Sequence, residues 1–139
     1  MPTFNLLPLE VPARAVKSIY VLEVDGASPF ADFAGKMKKA GKKSDLSKIE
    51  VLLEELALGR TLPNNACKPL RGVPKDDNWQ EFELRKNQLR VYFFLIPPDD
   101  NVIVVGEFKK GNKQQIQTIA EFRRLKAAFK IFYQSKEEE

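Results

Sequence analysis

The stretch FELRKNQLRVYFFLIPP, residues 82–98, decides how this chain is read. From Phe82 to Arg85 apolar and charged residues alternate, the period of a strand with one buried face. From Val91 to Ile96 the run is apolar on both faces, which suits a strand in the middle of a sheet. Between them lies Asn87-Gln88. A two-residue loop there sets Lys86 against Leu89, Arg85 against Arg90, Leu84 against Val91, Glu83 against Tyr92 and Phe82 against Phe93, and the apolar faces match. A three-residue loop would set Leu84 against Arg90 and mix the faces, so the pattern selects the first register. That register makes two arginines direct cross-strand neighbours, which costs a fraction of roughly 1 kcal/mol unless something offsets it. Two offsets are open: an ion pair with Glu81, Glu83 or a helix carboxylate such as Glu54, or an anion gripped in fork geometry by both guanidiniums with Tyr92 beside them.

Working outward, PPDDN turns the second strand into a third, VIVVGEFKK. A long amphipathic helix follows, from about Lys113 to Phe132, with Ile116, Ile119, Phe122, Leu125, Phe129 and Phe132 on one stripe. Upstream, SIYVLEV (18–24) reads as a strand closed by Asp25-Gly26. SPFADFAGKMKKAG offers Ser28 as N-cap, Pro29 at the first helical position, an apolar stripe of Phe30, Phe33, Ala34 and Met37, and Gly41 as terminator. SDLSKIEVLLEELALG is read as capped by Ser44 or Asp45, carries Leu46, Ile49, Leu52, Leu53 and Leu56 at helical spacing, and ends at Gly59. Residues 1–17 have three prolines and no clear period, so they read as a tail or edge segment, and residues 60–78 as a connector. The acidic end, 134–139, reads as a tail. The order strand, helix, helix, three strands, helix predicts one α+β domain.

The 139 residues are 43% apolar and 30% charged, ordinary globular composition. Lys and Arg outnumber Asp and Glu by 23 to 19, and the acidic tail hides a more basic body, so a polyanion partner fits. The chain has no histidine, which removes imidazole acid-base chemistry, Ser-His and Cys-His pairs and any metal site that needs His. Cys67 is its single cysteine, so an intramolecular disulfide is impossible. With no signal-like region and no long apolar span, the expectation is a cytoplasmic protein with no membrane partner and no cofactor. Any chemistry runs on Lys, Arg, Tyr, Asp and Glu. Basic clusters occur at Lys109, Lys110 and Lys113 near a glycine turn, at Lys68, Arg71 and Lys75 in the connector, and between the first two helices.

The ordered set SPFADF, a leucine-rich helix ending in Gly, KPLRG, WQEFELRKNQLRVYFFL and VIVVGEFKKGNKQQ resembles the RelE/ParE superfamily of bacterial toxins, most closely its HigB-type, phage-derived branch. Trp79, Glu83, Leu84, Arg85, Arg90, Tyr92 and Phe108 to Lys110 carry the resemblance. It implies a RelE-like α+β fold, with two N-terminal helices and a C-terminal helix on a small, mainly antiparallel curved sheet. It also implies the toxin of a type II toxin–antitoxin system, a metal-independent messenger RNA endoribonuclease acting on the ribosome and neutralised by an antitoxin of helix-turn-helix type. By the same resemblance, Arg90 contacts the scissile phosphate, Arg85 supports it, and Lys109 or Lys110 is the basic residue closing the third strand. Glu83 is a candidate base, and Lys68, Arg71, Lys75, Tyr92 and Lys113 are candidate RNA contacts. Two departures stand out: Glu81 and Glu83 occupy positions where the RelE branch has lysines, and no tyrosine follows FKKGNK. The alternatives are a non-catalytic ParE-like toxin that inhibits gyrase by protein binding, and an inactive toxin-fold binding protein.

Overall fold

The computed structural model describes residues 2–137. Its elements are β1 (Phe4–Pro8), β2 (Ser18–Val24), α1 (Pro29–Lys39), α2 (Lys43–Ala57), β3 (Cys67–Pro69), β4 (Glu81–Lys86), β5 (Leu89–Ile96), β6 (Asp100–Phe108) and α3 (Asn112–Glu137). The strands form one mixed sheet of six, in the order β1-β2-β6-β5-β4-β3. β2 lies parallel to β6, and every other pair is antiparallel. Among the described residues no helix is long and apolar enough to cross a membrane.

The β4–β5 register is the one the apolar pattern selects, with Arg85 opposite Arg90 and Leu84 opposite Val91. β5, apolar on both faces, sits inside the sheet and separates two cores. On one side α1 and α2 cover Phe82, Leu84, Val91, Phe93 and Ile103; on the other, α3 covers Tyr92, Phe94, Val102 and Val104 with Phe122, Leu125 and Phe129. Of the α3 stripe, Phe122, Leu125 and Phe129 are buried, Ile119 and Phe132 are half-buried, and Ile116 is 68% exposed.

The expected small RelE-like sheet is overturned: the sheet has six strands and is mixed. Two segments without strand periodicity join as edges: β1, from the proline-rich start, against β2, and β3, only three residues of the connector, against β4. The parallel β2–β6 pair makes the sheet mixed, and the helices divide between its two faces. Such edges escape a periodicity reading because backbone hydrogen bonds to a stronger neighbour, more than their own side-chain pattern, hold them in place. Residues 134–137, read as a tail, continue α3, while 138 and 139 lie outside the described residues. Ser28 caps α1 as expected, its Oγ accepting from Ala31 N at 3.1 Å. Neither Ser44 nor Asp45 caps α2: the N-cap is Lys42, two residues before Ser44, with no side-chain cap bond.

A β-bulge at Tyr92/Phe93 against β6 changes which face the end of β6 presents. Phe93 pairs with Ile103 but Tyr92 pairs with Val105, so Val104 is the extra residue. The shift sets Glu107 opposite Arg90 and turns Gly106 toward α1, where an added Cβ would collide with the Phe33 ring.

Candidate functional site

Arg85 and Arg90 share one carboxylate. Glu83, alternating onto the α3 face of β4, is 1% exposed. Arg85 Nε donates to its Oε2 at 3.1 Å, and Gln115 Nε2, from the first turns of α3, donates to Oε1 at 2.6 Å. Arg90 Nε lies 3.3 Å from Oε1, outside hydrogen-bonding geometry, so this buried nitrogen is paired by charge alone. Arg90 Nη1 donates to the carbonyls of Asn87 and Leu89 at 2.7 and 2.9 Å. Glu83 supplies an ion pair that offsets the like-charge pair. The same carboxylate, offered by the sequence as a base, is held by two hydrogen-bond donors and the Arg90 charge, and is turned away from solvent.

The network continues across the sheet. Gln115 Nε2 also donates to the Tyr92 hydroxyl at 3.1 Å; that hydroxyl donates to Glu107 Oε2 at 2.5 Å, and Thr118 Oγ1 donates to Glu107 Oε1 at 2.8 Å. Tyr92 is fully buried, its ring against Phe122, so it cannot stack on a ligand in this conformation. Burial, followed by the hydrogen bond to Glu107, pushes its phenol well above the ordinary range. Two arginines and two carboxylates thus balance within one buried cluster.

Two clefts flank this cluster. The first, about 640 Å³, runs between the β3 edge and α3 and is lined by Lys68, Leu70, Arg71, Glu83, Arg85 and Gln115 among others. The second, about 510 Å³, is lined by Asn87, Gln88, Arg90, Lys109, Lys110 and Gly111. Its floor is fixed by Lys109 N donating to Gln88 O at 2.7 Å and by Gln114, which accepts from Lys110 N and donates to Phe108 O. Lys75 is elsewhere, in a separate cleft beside Asp77 and Glu81, and Lys113 lines neither basic cleft. The sequence-predicted cations therefore gather as Lys68, Arg71 and Arg85 on one side and Arg90, Lys109 and Lys110 on the other.

The connector wall of the first cleft is latched to α3 by a second, partly buried network. Lys126 Nζ donates to Asp77 Oδ2 at 2.8 Å, Trp79 O at 2.6 Å and Glu81 Oε2 at 3.0 Å; Lys130 Nζ donates to Asp77 Oδ1 at 2.8 Å. Arg123 donates to Glu81 Oε1 and to the Arg71 carbonyl. Gly72, at φ +87°, brings the chain so close that a Cβ would meet Arg123 Nη1 at 3.3 Å. Cys67, on β3, has its thiol pushed up to about 11 by burial and by the Glu83 charge, so it is a poor nucleophile. Tyr133 packs edge-on against Trp79 at 5.4 Å, in the core and not at the arginines. Among the described residues no group of three His, Cys, Asp or Glu side chains is placed to hold a metal.

Sequence reasoning missed Gln115, Thr118, Glu107, Arg123 and Lys126. The helix residues carry no signal until α3 is laid on the sheet, and Glu107 reaches this face only through the bulge. No protein-family model, no curated protein and no solved structure matches the chain.

Proposed function

We propose that this chain is the toxin of a type II toxin–antitoxin pair and acts as a metal-independent messenger RNA endoribonuclease. One observation supports the reading most. Two guanidiniums stand side by side on one sheet face, and apart from their shared carboxylate every charged residue lining the two flanking clefts is a lysine or an arginine. Among the described residues the Arg85 side chain donates only through Nε, and no acceptor for its Nη atoms is found. Those atoms are a fork for phosphoryl oxygens, held in orientation by Glu83.

In this reading an RNA 2'-hydroxyl attacks the adjacent phosphate, and the bond from phosphorus to the 5'-oxygen breaks. Arg85, with Arg90 behind it, stabilises the charge that develops on the phosphoryl oxygens. Lys109 or Lys110 donates a proton to the departing 5'-oxygen, and the 2'-hydroxyl proton passes to water. Glu83 acts by positioning the arginines. A second reading, a non-catalytic binder, is favoured by one fact: neither cleft holds a carboxylate free to serve as a base.

Induced expression without an antitoxin, with growth, translation and RNA cleavage followed together, separates the readings. The enzyme reading expects growth arrest and cleavage that Arg85→Ala reduces by about 100-fold. Arrest without cleavage favours the binder, and normal growth with abundant folded protein removes the toxin reading altogether.

A further inference from the structure

Arg85 also borders a third cleft, one with no part in the proposed cleavage reaction. It is about 480 Å³, lies between α2 and the β4–β5 hairpin, and its lining includes Lys48, Val51, Leu52, Asn65, Arg85 and Lys86. Its charged residues are all basic. The walls are tied together: Asn87 Nδ2 donates to Asp45 Oδ1 at 2.8 Å, joining the hairpin to the first turn of α2, and Arg85 N donates to Ala66 O at 2.7 Å. Val51 is 52% exposed beside the lysines, an apolar surface the fold itself does not cover. This cleft opens on the α2 face of the sheet and the one holding Lys68 and Arg71 on the α3 face, and they adjoin across the sheet edge at residues 64–66: Asn64 lines one, Asn65 and Ala66 the other, and Arg85 lines both.

We propose that the two clefts are one track for single-stranded RNA, bent over this edge with Arg85 at the joint, and that Lys48 and Lys86 bind phosphates flanking those at Lys68 and Arg71. The inference rests on the RNA reading of the first cleft. A single strand suits the shape, because a flexible backbone follows a bent path that a stiff duplex cannot. The chemistry is backbone-directed. Lysines and an arginine supply charge, Val51 and Leu52 supply an apolar surface for a base, and neither cleft has an aromatic side chain in its lining to serve as a stacking platform. Affinity should therefore be carried by phosphate contacts and fall steeply with salt.

The test is the salt dependence of binding to a single-stranded oligoribonucleotide of about 12 nucleotides, a length within the range of small binding folds. Each neutralised phosphate contributes a slope of about −0.7 in log K against log salt, so Lys48→Ala with Lys86→Ala should make the slope shallower by roughly 1.4, as should Lys68→Ala with Arg71→Ala. Lys48→Glu should weaken binding further, and because Lys48 is exposed this variant should melt with the wild type. A slope unchanged by the Lys48/Lys86 pair but lowered by the Lys68/Arg71 pair overturns the continuous track and leaves the first cleft intact. Duplex RNA bound as tightly, with the same response to the Lys48/Lys86 pair, overturns the single-strand assignment. Wild-type protein that binds no oligoribonucleotide removes the RNA reading and the track with it.

Discussion

At the scale of single residues, Glu83 governs the site. It is buried beside two guanidiniums and an amide, and removing one of them leaves a carboxylate with fewer partners than its burial requires. Arg90 is the deeper of the two arginines, with 11% of its side chain exposed against 28% for Arg85. An exposed pair would contribute about 1 kcal/mol or less. A buried one behaves differently, since breaking it strands the remaining charge at about 3 kcal/mol or more. Arg90→Ala is therefore expected to destabilise the fold by about 3 kcal/mol, because Glu83 keeps Arg85 and Gln115 but loses its most buried counter-charge. Urea melts measure this directly, and a loss under about 1 kcal/mol would show that Glu83 is satisfied without Arg90. Arg85→Ala should cost less stability but weaken RNA binding more, since of the two cross-strand arginines it is Arg85 that lines the first cleft. A single melt and a single binding curve on each variant separate the two roles.

At the scale of elements, α3 is held by charge as well as by its aromatic stripe. Partial burial pushes the Asp77 carboxyl up, but hydrogen bonds from Lys126 and Lys130 outweigh it and bring the group down from 3.8 to about 2. A depressed carboxyl stabilises the fold above its unfolded value and loses that contribution as pH falls through the folded one. The α3 latch should therefore be at full strength above about pH 4 and weaken toward pH 2. Melting temperature followed over that window should decline less steeply in Asp77→Asn than in the wild type; parallel declines would place the acid sensitivity elsewhere. On the opposite face, α1 meets β6 at Gly106. A methyl added there collides with Phe33, so Gly106→Ala should cost about 1–3 kcal/mol, the range of overpacked cores. Trimming the ring, as in Phe33→Leu, should make the added methyl less costly, and equal penalties in both backgrounds would contradict the packing account.

At the scale of the whole molecule, the sheet divides an apolar side under α1 and α2 from a side where α3 covers buried charge, and the basic clefts open at the end where the β4–β5 hairpin, β3 and the start of α3 meet. With no histidine in the chain, RNA cleavage should persist in chelator at an unchanged rate; loss in chelator with recovery in magnesium or manganese would contradict the proposed chemistry. The sequence by itself determined the β4–β5 register, because alternating side chains allow one pairing that keeps the apolar faces together. It also determined β2, the stripes of three helices and the pairing of Arg85 with Arg90, all consequences of side-chain period. The tertiary structure alone decided what those arginines touch. Glu107 would lie on the other face of β6 in a regular ladder, and only the extra residue at Val104 turns it opposite Arg90. Gln115 and Lys126 reach Glu83 and Glu81 only because α3 crosses that face of the sheet. The edge strands β1 and β3 depend likewise on neighbours distant in sequence. The physical reason is one of range: periodicity reports which face a residue takes, whereas a buried ion pair depends on which distant element covers that face.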